Sequence, residues 1–124
     1  MNNLYNGVSI IEIERIREIM KHTSFLSRMF SPQELKYLTN SSFSVSKVAK
    51  MFCGKTAFRK AMGYDFRGCS LKDVSVLTDY VETPYISLSG TAKEKFMKKK
   101  CNVTLSISNS KDYAVASVVI FSKE

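Results

Sequence analysis

The sequence predicts one α+β domain spanning residues 1–124, in which antiparallel strands surround a long central helix. Three observations predict it. Residues 46–62 carry apolar side chains around most of a helical circumference. In residues 103–121 apolar and polar side chains alternate on the first arm of a hairpin, and a polar turn leads into a more apolar second arm. Gly7 to Ile11 is a short β-branched run, followed at once by a pattern of helical period. Helical and extended segments are grouped along the chain rather than alternating strictly, which favours α+β over a parallel sheet.

Gly7-Val8-Ser9-Ile10-Ile11 reads as a strand of the buried kind. From Glu12 onward Ile13, Ile16, Ile19 and Met20 share one helical face, with Arg15, Glu18 and Lys21 off it. His22, the single histidine, falls near the end of that helix and reads as a capping or surface residue. Ser31-Pro32-Gln33-Glu34 combines an N-cap, a proline at the first helical position and a capping-box acid, predicting a second helix to about Leu38. Asn40 to Ser44 is a polar break. A third helix runs from Ser46 to Met62 and ends at Gly63, a C-cap. Ser75 to Thr78 and Tyr85 to Leu88 are strand-like, and Thr91 to Lys100 is a lysine-rich helix. In the closing hairpin Val103, Leu105 and Ile107 alternate with polar residues, Asn109 to Asp112 turn, and Tyr113 to Phe121 return.

Composition bounds the function. A hydrophobic content of 44% and a charged content of 24% are those of a soluble globular domain. Glu12, Glu14 and Glu18 interrupt the apolar start, so it reads as neither signal peptide nor membrane span. Three cysteines, Cys53, Cys69 and Cys101, form no C-x-x-C pair and leave one thiol over, which points to reduced thiols and a cytoplasmic setting. Nineteen basic residues against eleven acidic give a formal charge of +8, which suits an anionic partner: nucleic acid, an acidic protein or a phosphorylated cofactor.

Gly54-Lys55-Thr56 ends like a phosphate-binding P-loop, but the glycine needed five residues earlier is Ala49, and no strand leads in. The stretch is helix, with Thr56 and Lys60 four apart on one face.

A set of motifs carries a resemblance. They are G-x-x-I-x-E-I-x-R-I at Gly7 to Ile16, F-x-x-R-x-F-x-P-x-E at Phe25 to Glu34, and K-x-A-F-x-K-A-x-G at Lys55 to Gly63. L-K-D-V at Leu71, P-Y-x-x-L-S-G-x-A at Pro84 to Ala92 and L-S-I-S-x-S-K-D-Y-A-V-A at Leu105 to Ala116 follow in order. Each is weak alone, but together they make the chain resemble, end to end, the holo-acyl-carrier-protein synthase family of phosphopantetheinyl transferases. The resemblance implies that family's α+β fold, a trimer with coenzyme A bound between subunits, and transfer of 4'-phosphopantetheine from coenzyme A to a serine of an acidic acyl carrier protein, with Mg²⁺.

By the same resemblance Lys55 and Lys60 lie near the diphosphate as catalytic and coenzyme-binding cations. Gly63, Ser89, Gly90, Asn109 and Ser110 shape the coenzyme site, and Arg15, Lys21 and Arg28 dock the carrier protein. Departures are equally specific. The family's metal-binding aspartate, in its G-x-D strand, is Ser9 here, and the glutamate after the first helix lysine is Thr56. The family's S-H-T histidine is Asn109, and of its glycine loop only Gly63 remains, in Gly63-Tyr64-Asp65-Phe66. Glu12 and Asp65 are the acids that could substitute as metal ligands. Three readings stand: an active synthase, a relative that binds coenzyme A or carrier protein without turnover, and a basic nucleic-acid-binding module. The last lacks helix-turn-helix, RNP-type and zinc spacings.

Overall fold

A computed structural model describes residues 3–22 and 24–123. In chain order the elements are strand β1 (Leu4–Glu12), helices α1 (Ile13–Ile19), α2 (Ser24–Met29), α3 (Pro32–Asn40) and α4 (Val45–Met62), strands β2 (Val74–Thr78) and β3 (Pro84–Leu88), helix α5 (Gly90–Lys98), and strands β4 (Cys101–Asn109) and β5 (Tyr113–Ser122). Two 3-10 turns, Gly63–Phe66 and Leu71–Asp73, lie between α4 and β2. The architecture is the expected α+β. The main differences from the sequence reading are that β1 is longer at both ends, α2 is an additional helix, and α5 stops at Lys98; other boundaries shift by one or two residues. Lys99 and Lys100 form a turn, with Lys100 in the left-handed region at φ 52°.

Local chemistry accounts for the boundaries. Ser31 caps α3 through its side chain while Glu34 reaches back to the Ser31 N–H, a complete capping box with Pro32 at the first position. At the far end of α4, Gly63 adopts φ 59°, a conformation that costs glycine little.

β5 is the middle strand of an antiparallel β1-β5-β4 sheet, and β2 pairs with β3 in a separate hairpin. The register sets Ser9 opposite Ala116, and Ala116 opposite Ile107. With side chains alternating across the sheet, Gly7 and Ser9 of β1 and Ala114, Ala116, Val118 and Ile120 of β5 face inward and are buried. Helix α4 lies on that inner face, and Val48, Ala57, Phe58 and Ala61 complete the core. Its other side meets the β2-β3 hairpin, close enough that a Cβ on Gly54 would come within 2.9 Å of the Val76 side chain.

Contact between β1 and α4 leaves no room for a side chain at Gly7. A Cβ on Gly7 would lie 2.2 Å from the Ala57 carbonyl oxygen and 2.6 Å from the Ala61 nitrogen. Both are backbone atoms of a buried helix, so neither can swing aside. Gly7→Ala would ordinarily gain about 0.4–1 kcal/mol by restricting the unfolded chain, but overpacking of this kind costs about 1–3 kcal/mol. A net loss of stability is expected, read as a lower thermal unfolding midpoint; an unchanged or raised midpoint would show that the seam is looser than the distances state.

Candidate functional site

The β1-α4 seam gathers the polar groups that the sequence singles out. Ser9 and Thr56 are both buried, at 4% and 6% exposure, and their hydroxyl oxygens are 2.7 Å apart. Thr56 Oγ1 also lies 3.1 Å from the carbonyl oxygens of Phe52 and Cys53. With its proton turned to its own helix, Thr56 accepts from Ser9, and both hydroxyls are satisfied. One turn further on, Lys60 stays exposed and donates from Nζ to the Val8 carbonyl at 3.0 Å. Gly63 closes the helix just beyond. Thr56, Lys60 and the helix end thus form one edge running beside β1, because positions four apart in a helix share a face.

Lys55 is elsewhere. Its side chain is completely buried, with Nζ 2.6 Å from Glu34 Oε1 and donating to the carbonyls of Leu71 at 2.8 Å and Val74 at 2.5 Å. The Phe30 ring centroid is 5.1 Å away. Glu34 accepts in addition from the N–H groups of Ser31 and Val76. Burial pushes the Glu34 carboxyl up and the Lys55 ammonium down, and the charge of each opposes the shift in the other. Of the two lysines that the resemblance places near the diphosphate, only Lys60 is presented on this edge, and Lys55 is buried against Glu34. The signal was in the spacing, since at about 100° per residue positions five apart diverge by about 140°.

Could this edge hold Mg²⁺? That ion takes carboxylate or phosphate oxygens and dehydrates reluctantly. Ser9 and Thr56 offer neutral hydroxyls already bonded to each other. Glu12 lies three residues along β1 from Ser9 and is exposed, on the opposite face of the strand. Asp65 is engaged by Lys99, whose hydrogen bond at 2.5 Å holds the carboxyl below its usual range. Among the described residues no group of three or more His, Cys, Asp or Glu side chains could hold a metal ion. The residues present do not fit the metal.

The remaining candidates are dispersed. Ser89 and Gly90 are tied to Asp73: the Ser89 N–H donates to its carbonyl at 3.0 Å, and a Cβ on Gly90 would sit 2.5 Å from its carboxylate. Asn109 donates to the Ser110 carbonyl at 2.9 Å, and Ser110 Oγ accepts from the N–H groups of Asp112 and Tyr113, so both belong to the exposed β4-β5 turn. Arg15 and Arg28 are exposed, and Lys21 pairs with Glu18 at 3.2 Å. Two concavities flank α4. One, between β1 and α1, is lined by Ile10, Glu12, Arg15, Ile16, Phe52 and Tyr113 among others. The other, on the far side of α4, is lined by Tyr37, Lys47, Lys50, Thr78 and Glu82 among others. Sequence reasoning missed the latter; its signal was the pair Lys47 and Lys50, three apart on one helical face.

Residues 7–118 match the model of the 4'-phosphopantetheinyl transferase superfamily. A holo-[acyl-carrier-protein] synthase of Clostridium tetani is 37% identical over 92% of this chain and 92% of its own length. The counterpart from Clostridium botulinum strain Eklund 17B is 36% identical over 92% of this chain and 94% of its own. The chain belongs to the holo-acyl-carrier-protein synthase family. Among solved structures, the family member from Neisseria meningitidis matches with a TM-score of 0.86 at 28% identity, over 94% of this chain and 96% of that one. A Helicobacter pylori synthase in complex with coenzyme A matches at 0.77 and 30% identity, over 93% of this chain and 98% of that one. Within the family fold, the two positions that the resemblance assigns to metal carboxylates do meet, as Ser9 and Thr56.

Leaving Lys55 buried without its partner should cost about 3–5 kcal/mol. Glu34→Ala is expected to lower the urea midpoint accordingly, and adding Lys55→Met should recover part of the loss. A single Glu34→Ala costing under about 1 kcal/mol would remove the pair from any structural role.

Proposed function

We propose that this chain transfers the 4'-phosphopantetheine arm of coenzyme A to a serine of an acyl carrier protein. The end-to-end family match carries the reading, and the exposed Lys60 edge of α4 supports it. In the reaction the serine oxygen attacks the β-phosphorus of the coenzyme diphosphate. The bond from that phosphorus to the bridging oxygen breaks, 3',5'-ADP leaves, and the serine proton passes to water or a base. Lys60 supplies positive charge where the diphosphate oxygens gather it, and Gly63, just beyond it, is assigned to the wall of the coenzyme site. Asn109 and Ser110 at the β4-β5 turn, and Ser89 and Gly90 before α5, are assigned to the walls of the coenzyme site. Lys55 acts at one remove, by fixing α4. Arg15, Lys21 and Arg28 are assigned to an acidic carrier surface.

Transfer of the arm, read as a mass increase of a purified carrier protein, tests this directly. Loss of one charge-stabilising group costs on the order of 10²–10³ in rate, so Lys60→Ala should slow transfer by that order. Ser9 and Thr56 favour a second reading, binding without turnover, because the transition-state charge lacks the family's carboxylate-held ion. Modification by the unaltered chain excludes the second reading; none, alongside measurable coenzyme binding, excludes the first.

The free thiols Cys53, Cys69 and Cys101 support a reducing compartment such as the cytoplasm, and among the described residues no helix is long and apolar enough to cross a membrane. A homotrimer is supported by the outer face of the β1-β5 ribbon, where Leu4, Val8 and Ile10 are 74%, 54% and 65% exposed and Val115 stands opposite Ile10. Apolar faces of this kind mark interfaces. Light scattering at micromolar concentration should give the mass of a trimer and Ile10→Lys that of a monomer; a monomeric unaltered chain would defeat the shared-site arrangement.

A further inference from the structure

We propose that this chain holds the phosphates of coenzyme A without a divalent cation, the Ser9–Thr56 hydroxyl pair having replaced the ion as the link between β1 and α4. The inference rests on coenzyme A being the substrate, as proposed above. Its own support is the donor set at the seam.

A divalent cation seated by a protein needs anionic oxygens to offset its lost hydration, and the seam has none. Ser9 Oγ and Thr56 Oγ1, 2.7 Å apart, spend their hydrogen-bonding capacity on each other and on the helix carbonyls. Among the described residues no buried side-chain oxygen or nitrogen lacks a partner, so the Ser9 and Thr56 hydroxyls hold no unsatisfied oxygen in reserve. Lys60, bonded to the Val8 carbonyl on the next residue of β1, is a cation at the same edge. It repels a second cation and attracts phosphate. The acids that could compensate are turned away or taken, Glu12 by strand alternation and Asp65 by Lys99. The hydroxyl pair also does mechanically what a bridging ion would do: it joins a strand to a helix, next to the close approach at Gly7.

Calorimetry with coenzyme A as the probe, in EDTA and again in excess Mg²⁺, tests the proposal. The expected affinities agree within about twofold, both weaken as salt is raised, and Lys60→Ala weakens both by about tenfold or more, the scale of one charge-assisted contact. Mn²⁺ alone, followed by its spin resonance, should not bind the unaltered chain. Ser9→Asp with Thr56→Glu sets two carboxylates side by side, so that variant should melt lower in EDTA, recover with Mg²⁺ and bind Mn²⁺. Either single substitution serves if the double variant does not fold. Heat that appears only with Mg²⁺, or Mn²⁺ binding by the unaltered chain, overturns the metal-free site and leaves the coenzyme reading standing. No heat in either buffer overturns the coenzyme reading itself and this proposal with it.

Discussion

The Glu34–Lys55 ion pair is the constraint on which the rest of the structure depends. A buried ammonium has three protons to place, and here they go to the Glu34 carboxylate and to the carbonyls of Leu71 and Val74. Glu34 in turn receives the N–H groups of Ser31 and Val76. One side chain thereby binds the start of α3, the 3-10 turn at Leu71–Asp73 and strand β2 to the middle of α4. The bond from Ser75 Oγ to Ser31 Oγ at 2.7 Å doubles the attachment. Desolvating both charges is expensive, and the exchange is tolerable only because each donor and acceptor is met. The pair therefore contributes less to net stability than to specificity: it permits one rotation of α4 about its axis.

That rotation decides which chemistry reaches the surface. With Lys55 turned into the core, Thr56 must face β1, and Lys60, four residues on, must emerge at the same edge. Gly7 lets the strand come close enough for Ser9 to meet Thr56. The family fold thus survives intact around a seam whose charges differ from those its relatives are expected to carry. Packing depends on volume and on satisfied hydrogen bonds, and two hydroxyls meet both requirements as well as two carboxylates and an ion. Only the electrostatics of the reaction distinguish them.

Much of the fold was legible in the sequence, for local reasons. The capping box at Ser31 to Glu34, the glycine stop at Gly63 and the alternation after Val103 are short-range signals, and each element appears where its signal lies. Helix α2, Ser24–Met29, has no clear apolar period, and it is held in place as Phe25 packs edge-on against Phe30 and against Phe52, the latter from a distant segment.

The sequence by itself determined the family and the order of every element except α2, and through the resemblance it raised the expectation that Ser9 and Thr56 stand where relatives carry acids, since these depend only on residue identity and spacing. Tertiary structure alone decided that Lys55 is internal, that Asp65 is held by Lys99, and that the Ser9 and Thr56 hydroxyls close on each other. Each of those facts joins residues more than twenty positions apart. Such pairings follow from how helix α4 is seated between the two sheets, and that seating is set by the packing of the whole core.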